Sequence, residues 1–100
     1  MNKRQAGRTK KEMAKEYRAQ LRAVLKRASA SDGLLDEFLK DLLTPAEYVE
    51  LGIRWQIVKL LEVGMTHREI ANKLKTGIST VTRGARELED ENGGFWKMLK

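Results

Sequence analysis

The chain has 100 residues, a formal net charge of +6 and no cysteine. That length allows one domain with a modest core, and the missing thiols exclude disulfides and thiolate metal sites, as in a reducing cytoplasm. No apolar run approaches the ~18 residues needed to span a bilayer, and the basic N-terminus has no apolar segment behind it, so neither a membrane span nor a secretory leader is expected.

The charge is unevenly placed. Residues 1–27 hold ten Lys/Arg against Glu12 and Glu16, a net +8, whereas residues 28–100 hold ten Lys/Arg against twelve acids, a net −2. A basic arm on a near-neutral body points to a polyanion partner, most commonly nucleic acid. Residues 1–9 have almost nothing to bury and are expected to be a disordered basic arm, leaving 10–100 as the helical domain. A helix then runs from Thr9 or Lys10 to about Ala28. Met13, Tyr17, Leu21, Val24, Leu25 and Ala28 step along it by three and four, and Lys and Arg crowd the other face.

Ser29 to Gly33 is a break in which Ser31 or Asp32 caps the next helix, Leu34 to Leu42. Thr44-Pro45-Ala46-Glu47 is the best start signal in the chain. Thr44 caps, Pro45 suits the first helical position, and Glu47 completes a capping box. The helix it opens, Pro45 to about Val63, has Val49, Ile53, Ile57, Leu60 and Leu61 on one face, with Tyr48, Trp55 and Val58 on others. A helix apolar most of the way round is a central one. Gly64 ends it.

Thr66 to Glu87 reads as two short helices joined by a tight turn. Thr66 and Glu69 form a second capping box, Ile70 and Leu74 give one apolar stripe, and the small Ala71 sits where another helix must come close. After Lys75-Thr76, Gly77 starts a helix whose stripe is Ile78, Val81 and Ala85. Ser79, Thr80, Thr82, Arg83 and Arg86 lie off that stripe. A helix-turn-helix presents its second helix to the DNA major groove in this way. Asn92-Gly93-Gly94 is a stop, and Phe95 to Lys100 forms a last apolar turn or two.

The fold class is therefore all-α, with about six helices. Phe38, Trp55, Phe95 and Trp96 exceed what so small a core needs, so a large apolar interface is expected, most simply in a C2 homodimer. His67 is the only histidine and has no partners for a metal. No Ser-His-Asp, paired-carboxylate or phosphate-loop arrangement is present, so the chain is not expected to be an enzyme, and no cofactor is required.

The segments LLTPAEYVELGIRWQIVKLL (Leu42 to Leu61), THRE and GISTVTRGARELE (Thr66 to Glu89) resemble the Trp repressor family. The likeness spans roughly residues 34–89, and LTPxExxxLGxR followed by IxTxTRG is more specific than a bare helix-turn-helix. It implies an intertwined homodimer acting as a sequence-specific transcriptional repressor on double-stranded DNA, with L-tryptophan or a related small molecule as corepressor. Members of this family are standard examples of helix-turn-helix docking and of water-mediated base readout. The resemblance places His67 and Arg68 near phosphates, Lys73 and Lys75 on the DNA backbone, and Ile78, Ser79, Thr80 and Thr82 at the groove. For the ligand, it places Arg54 and Arg83 at the indole or carboxylate, with Thr44, Val58 and Gly84 lining the pocket and Leu43 of the partner chain closing it.

Three departures stand out. Glu87 occupies a ligand-pocket position where members carry a small hydroxyl residue, and it is spaced to pair with Arg83 at i, i+4. Its carboxylate can mimic or repel that of a ligand. The linker VGMTHRE is one residue shorter than in tryptophan-responsive members. Lys75 takes the turn position usually held by Gly, which predicts a rearranged turn. The alternative function is a ligand-independent or nonspecific, architectural DNA-binding protein whose affinity resides in the basic arm.

Overall fold

The computed structural model describes residues 7–100, and among them every regular element is a helix. The six are α1 (Lys10–Ala28), α2 (Asp32–Leu42), α3 (Pro45–Glu62), α4 (His67–Leu74), α5 (Ile78–Glu87) and α6 (Gly94–Leu99). The all-α expectation holds, and the boundaries fall within two residues of those read from periodicity and caps. Two compact units divide the chain, one ending at Leu43 and the other running from Thr44 to Lys100.

In the first unit, the Thr9 hydroxyl accepts from the Glu12 N–H at 3.1 Å and so caps α1. Arg8 reaches back along that first turn, pairing with the Glu16 carboxylate and donating to the Glu12 carbonyl at 3.3 Å. The arm expected over residues 1–9 is thus tied down from Arg8 onward, because Arg8 finds two acceptors on the turn that follows it. Residues 1–6 lie outside the described residues. Ser31 caps α2 through the Leu34 N–H at 3.1 Å. Ala28 is the buried residue of α1, while Tyr17, Leu21, Leu34 and Leu42 are exposed.

The second unit is organised around α3. Its capping box is complete: Thr44 accepts from the Glu47 N–H at 3.1 Å, and Glu47 Oε1 accepts from the Thr44 N–H at 2.9 Å. That backbone N–H, and then the hydroxyl, hold the Glu47 carboxyl below its ordinary value of 4.5. Because the folded value is depressed, the stabilisation is complete above the unfolded pKa and is lost as pH falls through the folded one. At the other end, Gly64 at φ +91° donates to Leu61 and Met65 donates to Leu60, a Schellman closure that turns the chain sharply into α4.

Ile57, Ile70 and Val81 are the fully buried centre of this unit, one residue from each of α3, α4 and α5, with Ile53, Leu60, Leu61, Met65, Ala71 and Leu74 packed around them. The stripe expected on α5 is corrected at one position. Ile78, the first residue of the helix, is 52% exposed and stands outside the cluster around Ile57, Ile70 and Val81. Val49, expected on the inner face of α3, is also exposed.

The turn between α4 and α5 keeps its helix-turn-helix form, contrary to the rearrangement expected from Lys75. Lys75 itself adopts the left-handed conformation, φ 54° and ψ 46°, and both its N–H and that of Thr76 donate to the Ala71 carbonyl. Those hydrogen bonds outweigh the steric penalty that a β-carbon meets at positive φ. Lys75→Gly should release that penalty less the extra chain entropy of glycine, raising stability by about 0.5–1 kcal/mol. A higher midpoint of urea unfolding with an unchanged slope, at fixed chain concentration, would report it.

Candidate functional site

The candidate reading surface is the helix pair α4 and α5. Val81 is fully buried on one side of α5. The opposite arc of the helix therefore faces outward, and Ile78, Ser79, Thr82, Arg83 and Arg86 are exposed along it. The Thr82 hydroxyl donates to the Ile78 carbonyl at 3.0 Å, which fixes its rotamer and leaves its oxygen free to accept. His67, Arg68, Lys73 and Lys75 are exposed on α4 and the turn, the places phosphate contacts need. Arg86 belongs to the same exposed arc, and the resemblance did not single it out. Its one-turn spacing from Thr82 was the available signal.

Thr80 departs from this pattern. It is only half-exposed and turns with Ser79 toward a cavity between α3 and α5. That cavity, of about 470 Å³, is also lined by Glu50, Arg54 and Ile57 of α3, by Arg83, Gly84 and Glu87 of α5, and by Phe95 of α6. Of the residues proposed for a ligand, Arg54, Arg83, Gly84 and Glu87 come together there. Val58 does not, since it is fully buried and cannot touch a ligand. Thr44 does not line it either, because its N–H and hydroxyl are engaged in the α3 cap. Leu43 lies in the other compact unit. Phe95 had no local signal, because α6 reaches the cavity only through tertiary packing.

Gly84 makes this cavity wall possible. A β-carbon there would lie 2.8 Å from Ile57 Cγ2, a branched side chain buried in the core, so α5 presses against α3 at that residue. Trp96 anchors the end of α5, its indole N–H donating to the Leu88 carbonyl at 2.7 Å. Phe95 stands 6.5 Å from Trp55 between ring centroids. Three of the aromatics read as interface residues, Trp55, Phe95 and Trp96, are therefore already used within the chain.

The cavity is electrically balanced. Arg54 meets Glu50 at 3.7 Å, a long and half-exposed contact that gives little and yields readily. The expected Arg83–Glu87 pair does not form among the described residues, so one guanidinium and one carboxylate on α5 remain open to the cavity. Planar guanidiniums can grip a carboxylate or stack on an aromatic ring, and the Ile57–Gly84–Phe95 wall supplies the apolar side. Among the described residues no group of acids and histidine could hold a metal, and no helix is long and apolar enough to cross a membrane.

Gly84→Ala should destabilise the chain by about 1–3 kcal/mol through overpacking. Ile57→Ala in the same chain should recover part of that loss, a coupling of about 0.5–3 kcal/mol in a double-mutant cycle read from chemical denaturation. Additive effects would mean that the two residues do not share the contact.

The family profile described as Trp repressor protein matches residues 16–100. A Trp operon repressor homolog from Actinobacillus succinogenes is 39% identical over 75 residues, which is 74% of either chain. One from Mannheimia succiniciproducens is 37% identical over the same share, and one from Vibrio cholerae is 40% identical over 63 residues, 58% of this chain and 61% of that one. No solved structure matches the chain significantly. With the helix pair, the central helix and these matches in agreement, the chain belongs to the Trp repressor family of non-enzymatic, DNA-binding transcriptional regulators.

Proposed function

We propose that the chain works as a homodimeric, sequence-specific repressor on double-stranded DNA, with a small amphiphilic corepressor, L-tryptophan or a related molecule, held between α3 and α5. The exposed polar arc of α5 opposite buried Val81 carries the reading: a rigid helix, held by its core side, that offers hydroxyls and arginines to a groove. Short hydroxyls reach base edges partly through water.

Dimerisation is supported by what one chain leaves uncovered. Among the described residues only Ala28, Ile57, Val58, Ile70 and Val81 are buried apolar side chains, while Leu34, Leu42, Val49, Leu51 and Val63 stay exposed. A second copy covering them would complete the core, and a C2 pair would set two reading helices one DNA turn apart. If the dimer reading holds, Thr82→Val should reduce discrimination between the preferred site and random duplex by about fivefold, near 1 kcal/mol, with little change in random-duplex binding. Titrations of both duplexes by fluorescence anisotropy would read it. Unchanged discrimination would favour the architectural reading, in which the basic N-terminal region supplies the affinity.

The corepressor reading rests on Arg54, Arg83 and the apolar wall beside them. A ligand carboxylate would displace Glu50 from Arg54 and meet Glu87 as a like charge. Glu87→Ser should therefore tighten L-tryptophan binding by about tenfold, or about 1.4 kcal/mol, in calorimetry. No heat from either protein and no change in DNA affinity at millimolar L-tryptophan would leave a ligand-independent repressor.

A further inference from the structure

α1 carries an unneutralised line of cations. Lys11, Lys15, Arg18, Arg22 and Lys26 recur at intervals of three and four, so on a helix of 3.6 residues per turn they fall within an arc of about 80° and extend for about 22 Å. All five are exposed, and among the described residues none of them forms an ion pair. The acids of the helix, Glu12 and Glu16, lie outside that arc, and Arg8 already pairs with Glu16. Like charges one turn apart weaken a helix. Five in a row with no paired acid therefore cost α1 stability, which only Lys26, in the last turn, offsets through the helix dipole. A line of phosphates would relieve the repulsion by neutralising each charge in turn.

We propose that this stripe is a second, sequence-independent phosphate-binding surface for the backbone of duplex DNA, acting in addition to the reading helix. It rests on the DNA-binding reading above and adds to it a surface on the other compact unit. Duplex DNA carries one charge per about 1.7 Å of axis, so a 22 Å stripe meets more than enough phosphates for all five side chains. Lys and Arg on flexible stems suit such contacts, which hold the duplex without reading its bases. An anionic membrane fits less well. α1 contains no Trp or Phe to enter an interface, and although Tyr17 and Leu21 are exposed on its other flank, Glu16 and Gln20 lie between them and the stripe on one side.

The test is the salt dependence of DNA affinity for the full-length protein, measured on a preferred site and on random duplex. Each lost phosphate contact lowers the slope of log K against log salt by about 0.9. Replacing Lys11, Lys15, Arg18, Arg22 and Lys26 together with Gln should lower the slope by about 4 to 5 on both duplexes and leave their affinity ratio unchanged. Single Gln variants, each expected to lose about 0.9, keep the test readable if the fivefold variant does not fold by circular dichroism. Lys11→Arg, Lys15→Arg and Lys26→Arg together should keep the slope. Arg27→Gln with Lys59→Gln, two cations off the stripe, should also keep it. A folded fivefold variant with the parent slope overturns the proposal while leaving the DNA-binding reading intact, as does an equal loss per charge in the off-stripe control. Tighter binding to vesicles of neutral and anionic phospholipid than to random duplex overturns it in favour of a membrane. A parent chain that binds neither duplex at low salt overturns both readings.

Discussion

The contact between Gly84 and Ile57 is the constraint on which the site depends. α5 has only ten residues, too few to be a stable helix alone, so its position comes from what it packs against. Val81 buried against Ile57 and Ile70 holds its inner side, and the missing side chain at Gly84 lets it lie close on α3. That closeness brings Arg83 and Arg54 to the same cavity and turns the exposed arc of α5 outward. Anything that wedges α5 away from α3 must alter the cavity and the reading surface together, because one short helix forms part of both. Under the proposed corepressor reading, such sharing would couple an occupied cavity to DNA affinity without a hinge or a moving domain.

Charge divides the labour. The cavity holds two exposed guanidiniums and two exposed carboxylates, whose charges balance and which solvent screens from one another. α1 instead concentrates one sign on a solvent face, where the field extends outward and is limited only by salt. The first arrangement suits discrimination among small molecules, and the second suits nonspecific attraction to a polyanion.

Much of the local structure was legible in the amino acids. Both capping boxes, the proline at the start of α3, the glycine that ends it and the apolar stripes of α4 follow from side chains acting within one turn, and the structure has them where those residues stand. Lys75 shows the limit of that reading. Its type argues against a left-handed turn, yet two hydrogen bonds to Ala71 hold it there. Ile78 was legible as apolar but not as uncovered, because coverage depends on which residues of α5 the neighbouring helices meet. The arginines of the cavity were found through the family motif, whereas Phe95 was out of reach, since the loop and helix that bring it there leave no periodic mark near Arg54 or Arg83.

By itself the sequence determined the six helices, their caps, the helix-turn-helix and the concentration of positive charge in the first third of the chain, because each of these is set by neighbours three or four residues apart. Only the tertiary structure decided that α5 lies against α3 at Gly84, that Thr80 and Phe95 share a cavity with Arg54 and Arg83, and that Val58 is core. Those outcomes depend on contacts between residues far apart in the chain. Burial and close approach there are settled by the joint packing of three helices, which no local pattern encodes.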